Sequence, residues 1–478
     1  MLTVLGGYER NCAGVSRRRA LQIGGGGMFG LSLPQLLAAE KATAPRRATA
    51  KNVIFLFLFG GPSQLETFDM KPDAPGDIAG PFKPIASRTS DLRICEHLPQ
   101  LAERSDKFCV VRNMSHSFND HSGGGHYIQT GRRWHIPIGA GFNRTDKDWP
   151  SLGSVVDYLD TRSGRTADVP NYMFLPAPLG SLQTYSSKLE RPGAYGGWLG
   201  RAWDPISTQI EKRDPKDNPF FRPCDDDELD YRVEGLSRDE ALTLDRLDRR
   251  KTLLAQLDEA ERRLDRSASL SSFDYFRRRA LELVTTTKVR DALNVRQEKT
   301  AVRDRYGRHL FGQSVLVARR LIESGVRFVT VGWDAPDGYS WDSHTHSDDV
   351  KKHLLPGLDQ SLAALLDDLS ERGMLDETLI VCSGEMGRTP KPNARWGRQH
   401  WSTLFSTVLA GGGIRGGSLY GSSDRDAAFA RERPSTPEDL AATVLSALGI
   451  DPEHRILDQQ GRPVGLSDEG RVLPIFGS

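Results

Sequence analysis

Five short stretches of this 478-residue chain hold the side chains that could do chemistry. The densest is His116-Ser-Phe-Asn-Asp-His-Ser-Gly-Gly-Gly-His126, with three of the eleven histidines and with Asn119, Asp120, His121 and Ser122. Trp341-Asp-Ser-His-Thr-His346 sets Asp342 and His344 one residue apart. In an extended segment such residues point to the same side, so a carboxylate and an imidazole can converge on one metal ion, with His346 as a further ligand or an outer partner. Ser383-Gly-Glu-Met-Gly-Arg388 adds Glu385, and Arg398-Gln-His400 adds another imidazole. Arg388 and Arg398 are suited to holding an oxyanion bidentately. Gly60-Gly-Pro-Ser-Gln-Leu-Glu-Thr-Phe-Asp69 offers Ser63, Glu66 and Asp69 as oxygen donors, although its Gly and Pro also fit a plain tight turn. Two carboxylates and two histidines with arginines nearby describe a site for a divalent metal and an oxyanion.

Each stretch adjoins an apolar run, and in an open parallel sheet ligands bind beyond the carboxyl ends of the strands. Asn52 to Phe59 is continuously apolar, stops at Gly60-Gly61-Pro62, and reads as a strand buried on both faces. Phe108 to Val111, Val326 to Val331, Thr378 to Cys382 and Leu404 to Leu409 read likewise. Leu355, Leu358, Leu362, Leu365, Leu366 and Leu369 predict an amphipathic helix ending at Gly373. A last helix opens with Thr436 as N-cap, Pro437 and acidic Glu438 and Asp439, packs through Leu440, Val444 and Leu448, and closes before Gly449. Tyr127 to Gly131 predicts a short helix after a glycine-rich turn, whose free N–H groups would form an anion site. The rhythm is that of an α/β protein with a mostly parallel sheet sandwiched by helices. Residues 205–310 differ in being charge-dense: Ser237-Arg-Asp-Glu240 is a capping box, and Leu247, Leu254, Leu257 and Leu264 form a narrow seam. They read as a charged helical insertion or cap, with a partner-binding arm as the other reading.

Composition narrows the function. With 38% hydrophobic and 27% charged residues, the chain is not one that stays disordered. A net charge of +1 gives no global field to draw nucleic acid or an acidic membrane. The five cysteines are scattered without a C-x-x-C pair, which argues against a disulfide framework and a cysteine-built zinc site. Ser16-Arg-Arg-Arg-Ala-Leu-Gln22 precedes the uncharged stretch Ile23 to Ala39, and together they resemble a twin-arginine export signal read through Arg17 and Arg18. A disordered basic arm is the plainer alternative. Gly24 to Gly27 and Pro34 interrupt the stretch, so no membrane span is expected beyond an uncleaved anchor. Residues 1–45 are thus signal and linker, and 46–478 one α/β domain. The expected destination is the periplasm or cell surface, with metal loaded before export.

The order of these elements resembles the alkaline phosphatase and sulfatase superfamily. More closely, it resembles the exported sulfatase-like family catalogued as domain of unknown function 1501. The phrases that carry the likeness are Gly60-Gly-Pro-Ser-Gln-Leu-Glu-Thr-Phe-Asp-Met-Lys-Pro72, Gly384-Glu-Met-Gly-Arg-Thr-Pro390 and Ala410-Gly-Gly-Gly-Ile-Arg-Gly-Gly417. The resemblance implies that Asp342, His344 and His400 bind one metal ion and that Glu385 binds a second. Phe59 stands where the superfamily usually has a metal-binding aspartate, so Ser63, Glu66 or Asp69 would have to substitute, and Met386 replaces the usual histidine or asparagine.

Counting back from Thr130-Gly131-Arg132 puts His121 where related sulfatases place their cysteine or serine nucleophile, so there is no formylglycine motif. Ser122 as nucleophile, His121 as phosphorylated histidine or general base, and a water activated by the metal all stay open. The implied function is an exported, metal-dependent hydrolase of phosphate or sulfate esters, of small molecules or polysaccharides. Zinc, manganese, magnesium or calcium would serve it, and the export machinery would be its partner. The competing reading is a catalytically altered sulfatase-fold protein that binds sulfated or phosphorylated glycans or serves in the cell envelope.

Overall fold

The computed structural model describes residues 48–165, 169–183, 189–233, 287–336, 340–467 and 469–477. The arginine signal, the capping box at Ser237 and its leucine seam lie outside them.

Nine strands form the central sheet: β1 (Asn52–Leu58), β2 (Phe108–Met114), β3 (Tyr172–Leu175), β4 (Ile206–Gln209), β5 (Arg232–Val233), β6 (Phe328–Trp333), β7 (Thr378–Ser383), β8 (Phe405–Ala410) and β9 (Ser418–Tyr420). Their spatial order is β9-β2-β8-β7-β1-β6-β3-β4-β5. β1 lies at the centre, parallel to β6 on one side and to β7 on the other. All five predicted apolar runs are strands, shifted by a few residues at their ends.

The unbroken apolar character of β1 follows from its two covered faces. Val53, Phe55, Phe57 and Phe59 join one core, and Ile54, Leu56 and Leu58 join the other. Helix α1 (His121–Thr130), α2 (Leu152–Arg162) and α5 (Pro437–Ala447) cover the first face. Helices α3 (Leu310–Ser324) and α4 (Leu355–Glu371) cover the second. The Thr436 hydroxyl accepts from the Asp439 N–H in a full capping box, and α4 ends before Gly373 at a φ of 68°.

Sheet polarity explains where the polar stretches lie. β8 runs antiparallel to both β7 and β2, so its amino end, preceded by His400, lies at the edge where the carboxyl ends of β1, β2, β6 and β7 emerge. Loops after four strands and before a fifth therefore meet at one edge.

The described flanks of 205–310 are joined to the main domain: β4 and β5 extend the sheet, and Val289, Ala292, Leu293 and Tyr306 enter the main core. One expectation needs correction. The glycine-rich run is not a turn before a helix at Tyr127, because α1 already begins at His121 and contains Gly123, Gly124 and Gly125. Packing accounts for that choice, since a Cβ on Gly124 would come within 3.3 Å of the Glu385 carbonyl oxygen. No helix among the described residues is long and apolar enough to cross a membrane.

Candidate metal centre

The site starts where β1 ends. Gly60 has a φ of 113°, and a Cβ there would stand 2.4 Å from the Asp342 nitrogen, so only glycine lets the two loops touch. Its N–H donates to Glu385 Oε1 at 2.8 Å. The same oxygen lies 2.6 Å from Nδ1 of His121, the first residue of α1. Glu385 is fully buried and serves to fix that ring.

His121, Asp342, His344 and His400 place one ligand atom each within 4.8 Å of one another. Nε2 of His121 is 3.1 Å from Asp342 Oδ2. Nε2 of His344 and of His400 lie 2.8 and 3.2 Å from Asp342 Oδ1. The outward nitrogens all meet acceptors: Nδ1 of His121 meets Glu385, Nδ1 of His344 meets Gln399 Oε1 at 2.7 Å, and Nδ1 of His400 meets the Asn119 carbonyl at 2.9 Å. Each ring can thus keep a proton on its outward Nδ1, which leaves three Nε2 atoms converging on a carboxylate. Acceptors facing acceptors at such distances repel unless a positive species sits among them, and outward Nδ1–H bonds are the usual support of metal-binding imidazoles. Nε2 of His121 is buried without a hydrogen-bond partner. Burial opposes ionisation of Asp342; without an ion, protons on the facing Nε2 atoms outweigh it and hold the carboxyl well below the usual carboxylate range, the positive charge that a bound cation would supply in their place. Burial likewise opposes charge on His121, yet Asp342 and Glu385 on its two sides outweigh it and raise its proton affinity. The residues present fit a cation.

Of the residues anticipated as metal ligands, Asp342, His344 and His400 come together; Glu385, anticipated at a second ion, adjoins the cluster through His121, and Ser63 is not part of it. His121, anticipated as a catalytic group, takes the fourth place. The segment between Asp342 and His344 is not extended: the His344 N–H bonds the Asp342 carbonyl at 2.9 Å in a tight turn, and both side chains still reach the cluster. Ser63 is buried with its hydroxyl unpartnered. Glu66 is committed to Arg398 at 2.8 Å and Asp69 to Lys71 at 2.9 Å, so neither carboxylate is a free oxygen donor. Ser122 is buried in α1, and its hydroxyl reaches the Phe142 carbonyl at 3.4 Å.

Neither predicted arginine clamp is available. Arg388 is fully buried, with Nε on the Gly61 carbonyl at 3.0 Å, Nη1 on the Arg398 carbonyl at 3.2 Å, and Nη2 shared between the Gly60 carbonyl and Asp342. It ties the first loop to Asp342. Arg398 is spent on Glu66 and on the carbonyls of Ile78, Thr389 and Pro390.

His116 and His126 are structural. His116 bonds the Glu385 carbonyl, and His126 sits between the Arg132 carbonyl and the Trp149 N–H; burial lowers both to about 4. His346 lies apart, accepting from the Asp348 N–H at 3.3 Å. The expected anion site at the start of α1 is already capped, because Asp120 Oδ1 accepts from the Gly123 N–H at 2.7 Å. Residue reading missed Gln399 and Asn119 as orienting partners, although both sit beside residues it singled out.

Over residues 50–475 the sequence matches the family described as Protein of unknown function (DUF1501). No curated protein matches it significantly. Among solved structures, a sulfatase from Pseudoalteromonas sp. is 11% identical, with 91% of this chain and 72% of that chain covered and a TM-score of 0.37. A phosphonate monoester hydrolase from Silicibacter pomeroyi is 13% identical, with coverages of 88% and 76% and a TM-score of 0.36. A protein in the alkaline phosphatase superfamily from Vibrio parahaemolyticus is 11% identical, with coverages of 85% and 68% and a TM-score of 0.38.

Proposed function

The chain belongs to the DUF1501 family, and from the site it builds we propose that it is an exported, metal-dependent hydrolase of phosphate or sulfate esters. The observation that carries this is the convergence of three Nε2 atoms on Asp342 with each opposite ring nitrogen already bonded. His121, Asp342, His344 and His400 would hold the ion. Three imidazoles and one carboxylate favour zinc or manganese over magnesium and calcium, which prefer all-oxygen sites. When bound, the cation neutralises charge that develops on the oxygens of the transferring group. The chain's own residues fix the geometry: Glu385 holds His121, Gln399 holds His344, the Asn119 carbonyl holds His400, and Arg388 holds Asp342. Arg17 and Arg18 support the export reading, with the periplasm or cell surface as destination.

The test is elemental analysis of protein purified without chelator or affinity nickel, followed by turnover of nitrophenyl phosphate and nitrophenyl sulfate. Near-stoichiometric metal and turnover that chelator abolishes and metal restores are expected. Absence of metal after reconstitution overturns the reading. The second reading is a protein that binds sulfated or phosphorylated glycans without hydrolysing them, and it is favoured by the Ser122 hydroxyl being buried and engaged with the Phe142 carbonyl at 3.4 Å. Glycan retention without turnover of any ester would establish it.

A further inference from the structure

With Arg388 and Arg398 spent, the cation that meets the substrate must come from elsewhere. Arg191 lies in the loop after β3, and its Cζ is 4.6 Å from the centroid of the Phe59 ring. That ring is 5.1 Å from the His121 imidazole, so the guanidinium and the cluster share one aromatic neighbour. No hydrogen bond or ion pair engages the guanidinium among the described residues, and its Nε is buried without a partner. A desolvated N–H with nothing to donate to is a cost that a bound acceptor removes.

The backbone around Arg191 is held firmly. Its N–H reaches the Leu179 carbonyl at 3.4 Å, and Pro192 follows. Gly193, at a φ of 111°, lies so close to α1 that a Cβ there would stand 2.6 Å from the Gly125 carbonyl oxygen. On the other side, buried Asp334 at the end of β6 accepts from the Gly180 N–H at 3.0 Å, and the charge of Arg191 acts on it. The loop is therefore pinned between α1 and the carboxyl edge of the sheet. A guanidinium stacked on an aromatic face leaves its in-plane N–H groups free for a bidentate oxyanion.

We infer that Arg191 grips the non-reacting oxygens of the substrate's phosphate or sulfate group beside the metal cluster, and so selects for anionic esters. This rests on the hydrolase reading and names the residue that recognises the substrate's charge. The experiment titrates inorganic phosphate into the full-length protein, into Arg191→Met and into Arg191→Lys, with metal content measured on each. Phosphate affinity should fall 10- to 100-fold in Arg191→Met, with partial recovery in Arg191→Lys and unchanged metal. Where an ester is turned over, KM should rise more than kcat falls. Equal phosphate affinity in parent and Arg191→Met, or no phosphate binding by the parent, overturns the assignment. A parent that holds no metal overturns the hydrolase reading instead, and the phosphate titration still decides Arg191. If Arg191→Met fails to fold by thermal denaturation, Arg191→Lys and Arg191→Gln carry the comparison.

Discussion

Nε2 of His344 and Nε2 of His400 lie 2.9 Å apart, although 56 residues separate them in the chain. One reaches the site after β6 and the other ahead of antiparallel β8. Replacing either ring by alanine removes one of the four candidate ligands and leaves the cores untouched. His344→Ala and His400→Ala should each lose bound metal while keeping the parent's circular dichroism and unfolding profile. Metal content unchanged in both would dissolve the cluster as a binding site.

Glu385 supports the cluster without joining it. Glu385→Gln keeps an oxygen for the Gly60 N–H but weakens the charge-assisted bond to His121 Nδ1. Removing such an outer partner typically costs about 10- to 100-fold in metal affinity. Competition against a coloured chelator should show that loss. An unchanged affinity would mean that His121 orients itself.

The Glu66–Arg398 pair is an architectural element. Both side chains are almost wholly buried, and Arg398 also crosslinks three carbonyls from two loops. Glu66→Ala leaves a buried charge uncompensated, and its destabilisation should be about 3–5 kcal/mol in denaturant unfolding. A change below about 1 kcal/mol would show that water reaches the arginine.

Acid should weaken the fold through buried histidines. His309 caps α3 by accepting from the Gly312 N–H at 3.3 Å, and burial lowers it to about 4. Its folded pKa lies below the unfolded value of about 6.5, so its contribution is intact above pH 6.5 and is lost as pH falls toward 4. The loss at pH 5 is at most about 2 kcal/mol. His309→Asn keeps a capping side chain and should flatten the decline in stability between pH 7 and pH 5. A variant with the parent's full acid dependence would place that sensitivity elsewhere.

The strands were legible because parallel strands covered on both faces must be continuously apolar, as Asn52 to Leu58 is. Asp342, His344 and His400 were legible because each adjoins such a run. Arg388 and Arg398 misled because arginine is ordinarily a surface residue, and the acceptors that bury these two are mostly backbone carbonyls, which leave no mark in a sequence. His121 was found as a catalytic candidate, but its place in the cluster was not legible: it depends on α1 starting at His121 behind the Asp120 cap, and the three glycines that follow looked like a turn. Arg191 escaped notice because nothing near it in sequence resembles a site.

The placement of β1 also bears on how the protein is made. Its two neighbours in the sheet begin at Phe328 and Thr378, so a ribosome adding roughly 5–20 residues per second leaves the strand without partners for on the order of 15–60 s. Throughout that interval Val53 to Leu58 is an uncharged, β-prone segment without its sheet partners, of the kind that aggregates. His400 emerges later still, so no nascent chain can assemble the four-residue cluster until most of the protein has left the ribosome.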